Sequence, residues 1–72
     1  MELASQLRRY REREEISQYT LAKKIGVSNS TILRLENGEM DNPSLRILIS
    51  LSNEMNITLD ELVFGSKEKT KD

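Results

Sequence analysis

Few side chains in this chain are able to do covalent chemistry. Its 72 residues include no histidine and no cysteine. That excludes disulfides and nearly every zinc site. Only carboxylates, Ser, Thr, Tyr and Lys remain for acid–base or nucleophilic work. Glu14-Glu15 and Asp60-Glu61 are adjacent carboxylate pairs. Neighbours on a helix point about 100° apart and cannot share one substrate. There is no glycine-rich phosphate cradle and no metal-ligand spacing. The expectation is a protein that is not an enzyme and carries no cofactor or metal.

Charge is the next resource, and it is unevenly spread. The net charge is −1. Residues 1–38 hold seven Lys/Arg (8, 9, 11, 13, 23, 24, 34) and five acids (2, 12, 14, 15, 36), a balance of +2. Residues 39–72 hold four Lys/Arg and seven acids, a balance of −3. A positive face is therefore available on the first half, although an ordinary solvated surface gives the same count. Hydrophobic residues make up 36% of the chain and charged residues 32%, the balance of a folded rather than a disordered chain. No apolar run approaches the ~20 residues of a membrane span, and no export leader is visible. A cytoplasmic protein without membrane contact is expected.

The elements that position these groups are helices. Apolar residues recur at helical spacing, as in Leu3, Leu7 and Tyr10, and no segment alternates as a strand does. Helix starts are marked three times by an apolar residue and a capping hydroxyl: Ile16-Ser17 before Leu21, Val27-Ser28 before Ile32, and Ile57-Thr58 before Leu62. Each pair predicts a side-chain cap with a hydrophobic staple, and Glu61 completes a capping box on Thr58. Asn42-Pro43-Ser44 marks a further start. Gly26, Gly38 and Gly65 suit left-handed stops, and Asn56 can play the same part after Met55. Five helices follow, at about 2–14, 17–25, 28–37, 44–55 and 58–64. The expected fold is all-α, with one domain over residues 1–65 and a flexible polar tail over 66–72. A core this small buries only ~60–65% of the unfolded surface, so capping or a partner subunit must supply stability.

The second and third helices are joined only by Gly26-Val27-Ser28, which forces them to cross steeply, as in a helix-turn-helix. Ala22 keeps the crossing close, and Gly26 supplies the positive φ of the sharp turn. Leu21, Ile25, Val27, Ile32 and Leu35 are the apolar positions that this pair covers.

The run from Ser17 to Ser28, then Ile32-Leu33-Arg34-Leu35-Glu36-Asn37-Gly38, then Asn42-Pro43-Ser44-Leu45, resembles the phage repressor and Cro type, or XRE family. Ile57-Thr58-Leu59-Asp60-Glu61-Leu62 resembles that family's fifth helix. The resemblance covers about residues 3–64. It implies a transcriptional regulator that lays its third helix in the major groove of double-stranded DNA. Asn29, Ser30 and Arg34 then match base-reading positions, with Thr31 and Leu33 close enough to touch a thymine methyl. Asn suits adenine and Arg suits guanine in bidentate fashion. Gln18, Ser28 and Asn37 match phosphate contacts, and Lys23 and Arg46 are further candidates. Arg11 and Glu36 match a structural ion pair between the first and third helices. Glu39 and Asp41 depart from the family's basic loop and would repel phosphates.

Weak monomer binding implies a homodimer on a palindromic operator. The fifth helix carries more apolar residues than so small a core needs, and Ile47 and Ile49 add to the surplus. Ile57 and Leu62 are expected in the core, and Leu59, Val63 and Phe64 in the dimer interface. No small-molecule ligand is expected. The alternative is a protein-interaction module of the same fold, such as an antitoxin or partner-binding subunit, with weak or lost DNA binding.

Overall fold

The computed structural model describes residues 2–40 and 42–65. The tail expected over 66–72 lies outside the described residues. Five helices form, α1 (Leu3–Glu14), α2 (Gln18–Ile25), α3 (Asn29–Glu36), α4 (Leu45–Met55) and α5 (Leu59–Phe64). No strand occurs among the described residues. The expected all-α fold with a helix-turn-helix at α2–α3 is what the chain adopts.

The capping residues stand just outside the helices rather than within them. Ser17, Ser28, Ser44 and Thr58 all have extended backbone. Each side-chain oxygen accepts the N–H three residues on, from Thr20, Thr31, Ile47 and Glu61, at 3.0–3.3 Å. Each such cap stabilises its helix by about 1 kcal/mol. Glu61 Oε1 accepts the Thr58 N–H in return at 3.0 Å, closing the capping box on α5, the shortest helix.

Three of the links share one geometry. Glu15-Ile16-Ser17, Gly26-Val27-Ser28 and Asn56-Ile57-Thr58 each run from a left-handed residue through a half-buried apolar one to an extended cap. In each, the apolar residue's N–H reaches back five residues, to Arg11, Ala22 and Ser52 carbonyls at 3.0–3.1 Å. This is the Schellman arrangement that satisfies the last carbonyls of a helix. The same apolar residue that closes one helix staples the next, so a three-residue link fixes both the exit and the entry angle. Two stops differ from expectation. Glu15 is left-handed at φ 58°, a place that costs a side-chain residue strain and that no glycine marks. Gly65 keeps the positive φ expected of a glycine stop, at 96°, but its ψ of −161° lies outside the left-handed helical region.

The core lies where the helices converge. Leu7, Leu21, Ile32, Leu51 and Leu62 are fully buried, one from each helix. Ile16, Ile25, Val27, Met40, Ile47, Leu48 and Ile57 pack around them. Ile57 and Leu62 are core residues as expected. Ile47 is not surplus: it packs against the core, whereas Ile49 is exposed. The end of α5 is tied to α1 by polar contacts. Gln6 Nε2 donates to the Glu61 and Leu62 carbonyls at 2.6 and 2.8 Å, and the Glu2 N–H donates to the Val63 carbonyl at 3.1 Å.

Candidate nucleic-acid interface

The site begins with the two-faced character of α3. At about 100° per residue, Ile32, Leu35 and Glu36 fall on one side of the helix. These three are buried. Asn29, Ser30, Leu33 and Arg34 fall on the other side, and all four are exposed, as is Asn37 just beyond. One stripe therefore carries two amides, a hydroxyl, a guanidinium and an isobutyl group. Thr31 stands apart from this stripe. It is half-buried, and its Oγ1 lies 3.0 Å from Ser28 Oγ, which is also 3.0 Å from Ser30 Oγ. These hydroxyls knit the first turn of α3 together at its electropositive end.

The inner face of α3 is held from α1. Arg11 Nε and Nη2 donate to Glu36 Oε2 and Oε1 at 2.5 and 2.8 Å, and Arg11 Nη1 donates to the Ile16 carbonyl at 3.2 Å. Arg8 Nη2 donates to the Glu36 carbonyl at 2.8 Å, satisfying a backbone oxygen at the end of α3. Burial alone would raise the Glu36 carboxyl. Hydrogen bonds from Arg11 and Gln18, with the charges of Arg11 and Arg8, outweigh it and hold the carboxyl below its ordinary value. The same pairing raises the Arg11 guanidinium. So the ion pair expected from the sequence is present, and both partners are ionised at neutral pH.

Gln18 is the residue whose surroundings the sequence did not anticipate. It opens α2 and is half-buried. Its Nε2 donates to Glu36 Oε1 at 3.2 Å. The two lysines of α2 also separate. Lys24 Nζ lies 3.6 Å from Glu54 Oε2 and so bridges α2 to α4. Lys23 Nζ sits over the exposed Tyr19 ring at 5.6 Å from its centre. Glu54 further accepts the Tyr10 hydroxyl at 3.2 Å on both Oε2 and its backbone carbonyl. Burial and this carboxylate raise the Tyr10 phenol. Neither of the two contacts of Glu54 has a signature in residue spacing, because each joins helices far apart in the chain.

Arg46 is exposed in the first turn of α4. With Ile25, Gly26, Val27, Ser44, Ile47 and Ser50 it lines a shallow groove beside the α2–α3 turn. Of the acidic loop, Glu39 is exposed and Met40 packs on the core. Asp41 lies outside the described residues. On α5, Leu59 and Phe64 are exposed and Val63 is half-buried. Leu45 and Ile49 on α4 are also exposed, one turn apart.

A family model described as helix-turn-helix matches residues 7–62. The chain belongs to the XRE-type helix-turn-helix family. Two archaeal members are named HTH-type transcriptional regulators. One, from Archaeoglobus fulgidus, is 34% identical over 67 residues, covering 92% of this chain and 94% of the relative. The other, from Methanocaldococcus jannaschii, is 32% identical over 60 residues, covering 83% and 89%. The fold is similar to that of the P22 c2 repressor solved in complex with a synthetic operator, with a TM-score of 0.82 and 31% identity over 89% of this chain and 96% of that one. It is also similar to the N-terminal DNA-binding domain of SinR from Bacillus subtilis, with a TM-score of 0.79 and 26% identity over 97% of each chain. Family and fold are those of DNA-binding regulators, which are not enzymes. No helix among the described residues is long and apolar enough to cross a membrane.

Proposed function

We propose that this chain binds a palindromic DNA operator as a homodimer and regulates transcription there, with α3 in the major groove. The observation that carries this reading is the exposed polar stripe of α3 backed by a face that is wholly buried. Asn29, Ser30 and Arg34 read base edges, and Leu33 meets a thymine methyl. Thr31, half-buried beside Ser28, contributes to the base contact only from the margin of the stripe. Gln18, Ser28 and Asn37 contact phosphates together with Lys23 and Arg46, which neutralise charge. Residues 1–65 act as the binding domain and 66–72 as its tail, in the cytoplasm. Leu59, Val63 and Phe64 form the two-fold contact, which sets half-sites one DNA turn, ~34 Å, apart.

Glu39 favours a second reading. Exposed three residues beyond α3, it repels a phosphate backbone and suits a protein-interaction module that has lost DNA. Selection from random duplexes, followed by gel shift of the enriched sequence at several salt concentrations, separates the two. The regulator enriches a palindrome, and its affinity falls steeply as salt rises. No enrichment at low salt supports the interaction module.

A further inference from the structure

Glu36 is buried at the edge of the inner face of α3, about 20° around the helix from Asn29, with its side chain only 2% exposed. It nevertheless reaches a candidate DNA contact. Gln18 Nε2 lies 3.2 Å from Glu36 Oε1. An ionised carboxylate accepts hydrogen bonds and cannot donate, so the Gln18 amide must present its nitrogen to Glu36. That fixes which way round the amide sits. One of its two N–H groups is used, and the other N–H and the carbonyl oxygen are aimed by this anchor. Arg11 in turn holds Glu36 in this rotamer through two guanidinium nitrogens.

We propose that Glu36 is a positioning residue for DNA binding: it holds the Gln18 amide in the one orientation that donates to a backbone phosphate at the start of α2. The ion pair with Arg11 then serves the grip on DNA as well as the fold. An unanchored glutamine at a helix start samples several rotamers and must be ordered on binding, which lowers affinity. The anchored one is ordered beforehand, and the Arg11 charge offsets the repulsion between the Glu36 carboxylate and the phosphate.

This rests on the reading of the chain as a DNA binder, and the test keeps the two apart. Specific affinity is measured on the selected duplex for the wild type, Glu36→Gln, Gln18→Ala and the double variant, with the folded fraction of each read by circular dichroism. Gln18→Ala is expected to weaken binding on the order of tenfold, as for removal of one hydrogen bond to a charged acceptor. Glu36→Gln is expected to weaken it several-fold alone but less than about twofold in the Gln18→Ala background, because the effect passes through the amide. Equal losses in both backgrounds overturn the proposal while leaving the DNA reading intact. A wild type that binds no selected duplex overturns both. Should Glu36→Gln not fold, the wild type supplies a second measurement by nuclear magnetic resonance. In the free protein one Gln18 side-chain amide proton, the one bonded to Glu36, should exchange with solvent more slowly than its geminal partner, and both should shift when duplex is added. Two protons that exchange as fast as those of an exposed glutamine overturn the proposal.

Discussion

Arg11 and Glu36 meet as a two-pronged ion pair, with the guanidinium side chain 19% exposed and the carboxylate side chain 2% exposed. The arrangement joins the last turn of α1 to the last residue of α3, so the exposed stripe of α3 is held from behind. Removing one partner leaves a buried charge without its counter-ion. Glu36→Ala should therefore destabilise the domain by about 3–5 kcal/mol, a large share of what ~72 residues can muster. Replacing both partners together, Arg11→Met with Glu36→Leu, should recover most of that loss, because apolar side chains of similar volume need no desolvation of charge. Urea unfolding of the two variants decides it, and an unchanged midpoint for Glu36→Ala would refute the account.

The same pair makes an acid-sensitive joint. The Glu36 carboxyl sits below its ordinary value of 4.5 in the folded protein. A carboxyl whose folded pKa is depressed favours the fold at every pH above its unfolded value. That contribution is lost as pH falls through the folded value. Wild-type stability should thus decline with acid below about pH 4.5, more steeply than that of the Arg11→Met, Glu36→Leu protein. Unfolding midpoints measured from pH 7 down to pH 2 give the two curves. Parallel acid limbs would rule out a role for Glu36.

What the sequence made legible follows from the range of the interactions involved. Caps, staples and glycine turns act within five residues, so Ser17, Ser28 and Thr58 announced their helices. Buried apolar positions repeat with the helix, so Leu7, Leu21 and Ile32 announced the core. Glu15 was not legible as a left-handed stop, because its conformation is imposed by burying Ile16 and not by its own preference. The Gln18–Glu36 and Tyr10–Glu54 bonds were not legible either. Each joins residues 18 or 44 apart in the chain, where no local pattern records that two polar groups will meet. The Arg11–Glu36 pair is equally non-local, and only the family resemblance implies it.

Arg34 is exposed on α3 and contributes nothing to the core. Arg34→Ala should leave thermal stability within about 0.5 kcal/mol of wild type. On a selected operator it should lose about 1–3 kcal/mol of affinity and relax the choice of base at one position per half-site. Repeating the selection with the variant shows whether a single column of the motif degenerates. A motif that is retained in full, with uniform loss of affinity, would instead make Arg34 a phosphate contact.

Lys23 and Lys24 are chemically identical neighbours with different surroundings. Lys24 is paired with Glu54, whereas Lys23 lies over Tyr19. Only a lysine that neutralises a phosphate releases counter-ions on binding. Lys23→Gln should reduce the slope of log affinity against log salt by about 0.9 for each phosphate that is no longer neutralised. Lys24→Gln should leave that slope unchanged and lower stability slightly, by under about 1 kcal/mol, as for an exposed ion pair. A wild-type slope in both variants would mean that α2 meets DNA through neither lysine, and an equal reduction in both would put both lysines on phosphates.

The α5 surface sets the last expectation. Phe64 is 68% exposed and Leu59 38% exposed, although Leu62 beside them is fully buried. Exposed apolar side chains at both ends of a six-residue helix offer area that a second copy of the chain would bury. Leu59→Lys with Phe64→Lys should keep the folded helical spectrum, since neither side chain fills the core. It should shift the mass in solution from dimer to monomer and abolish cooperative filling of a two-half-site operator. A single half-site should then be bound equally by the wild type and the variant at low concentration. A wild type that stays monomeric at high micromolar concentration, and that fills the two half-sites independently, would leave this surface without the role given to it.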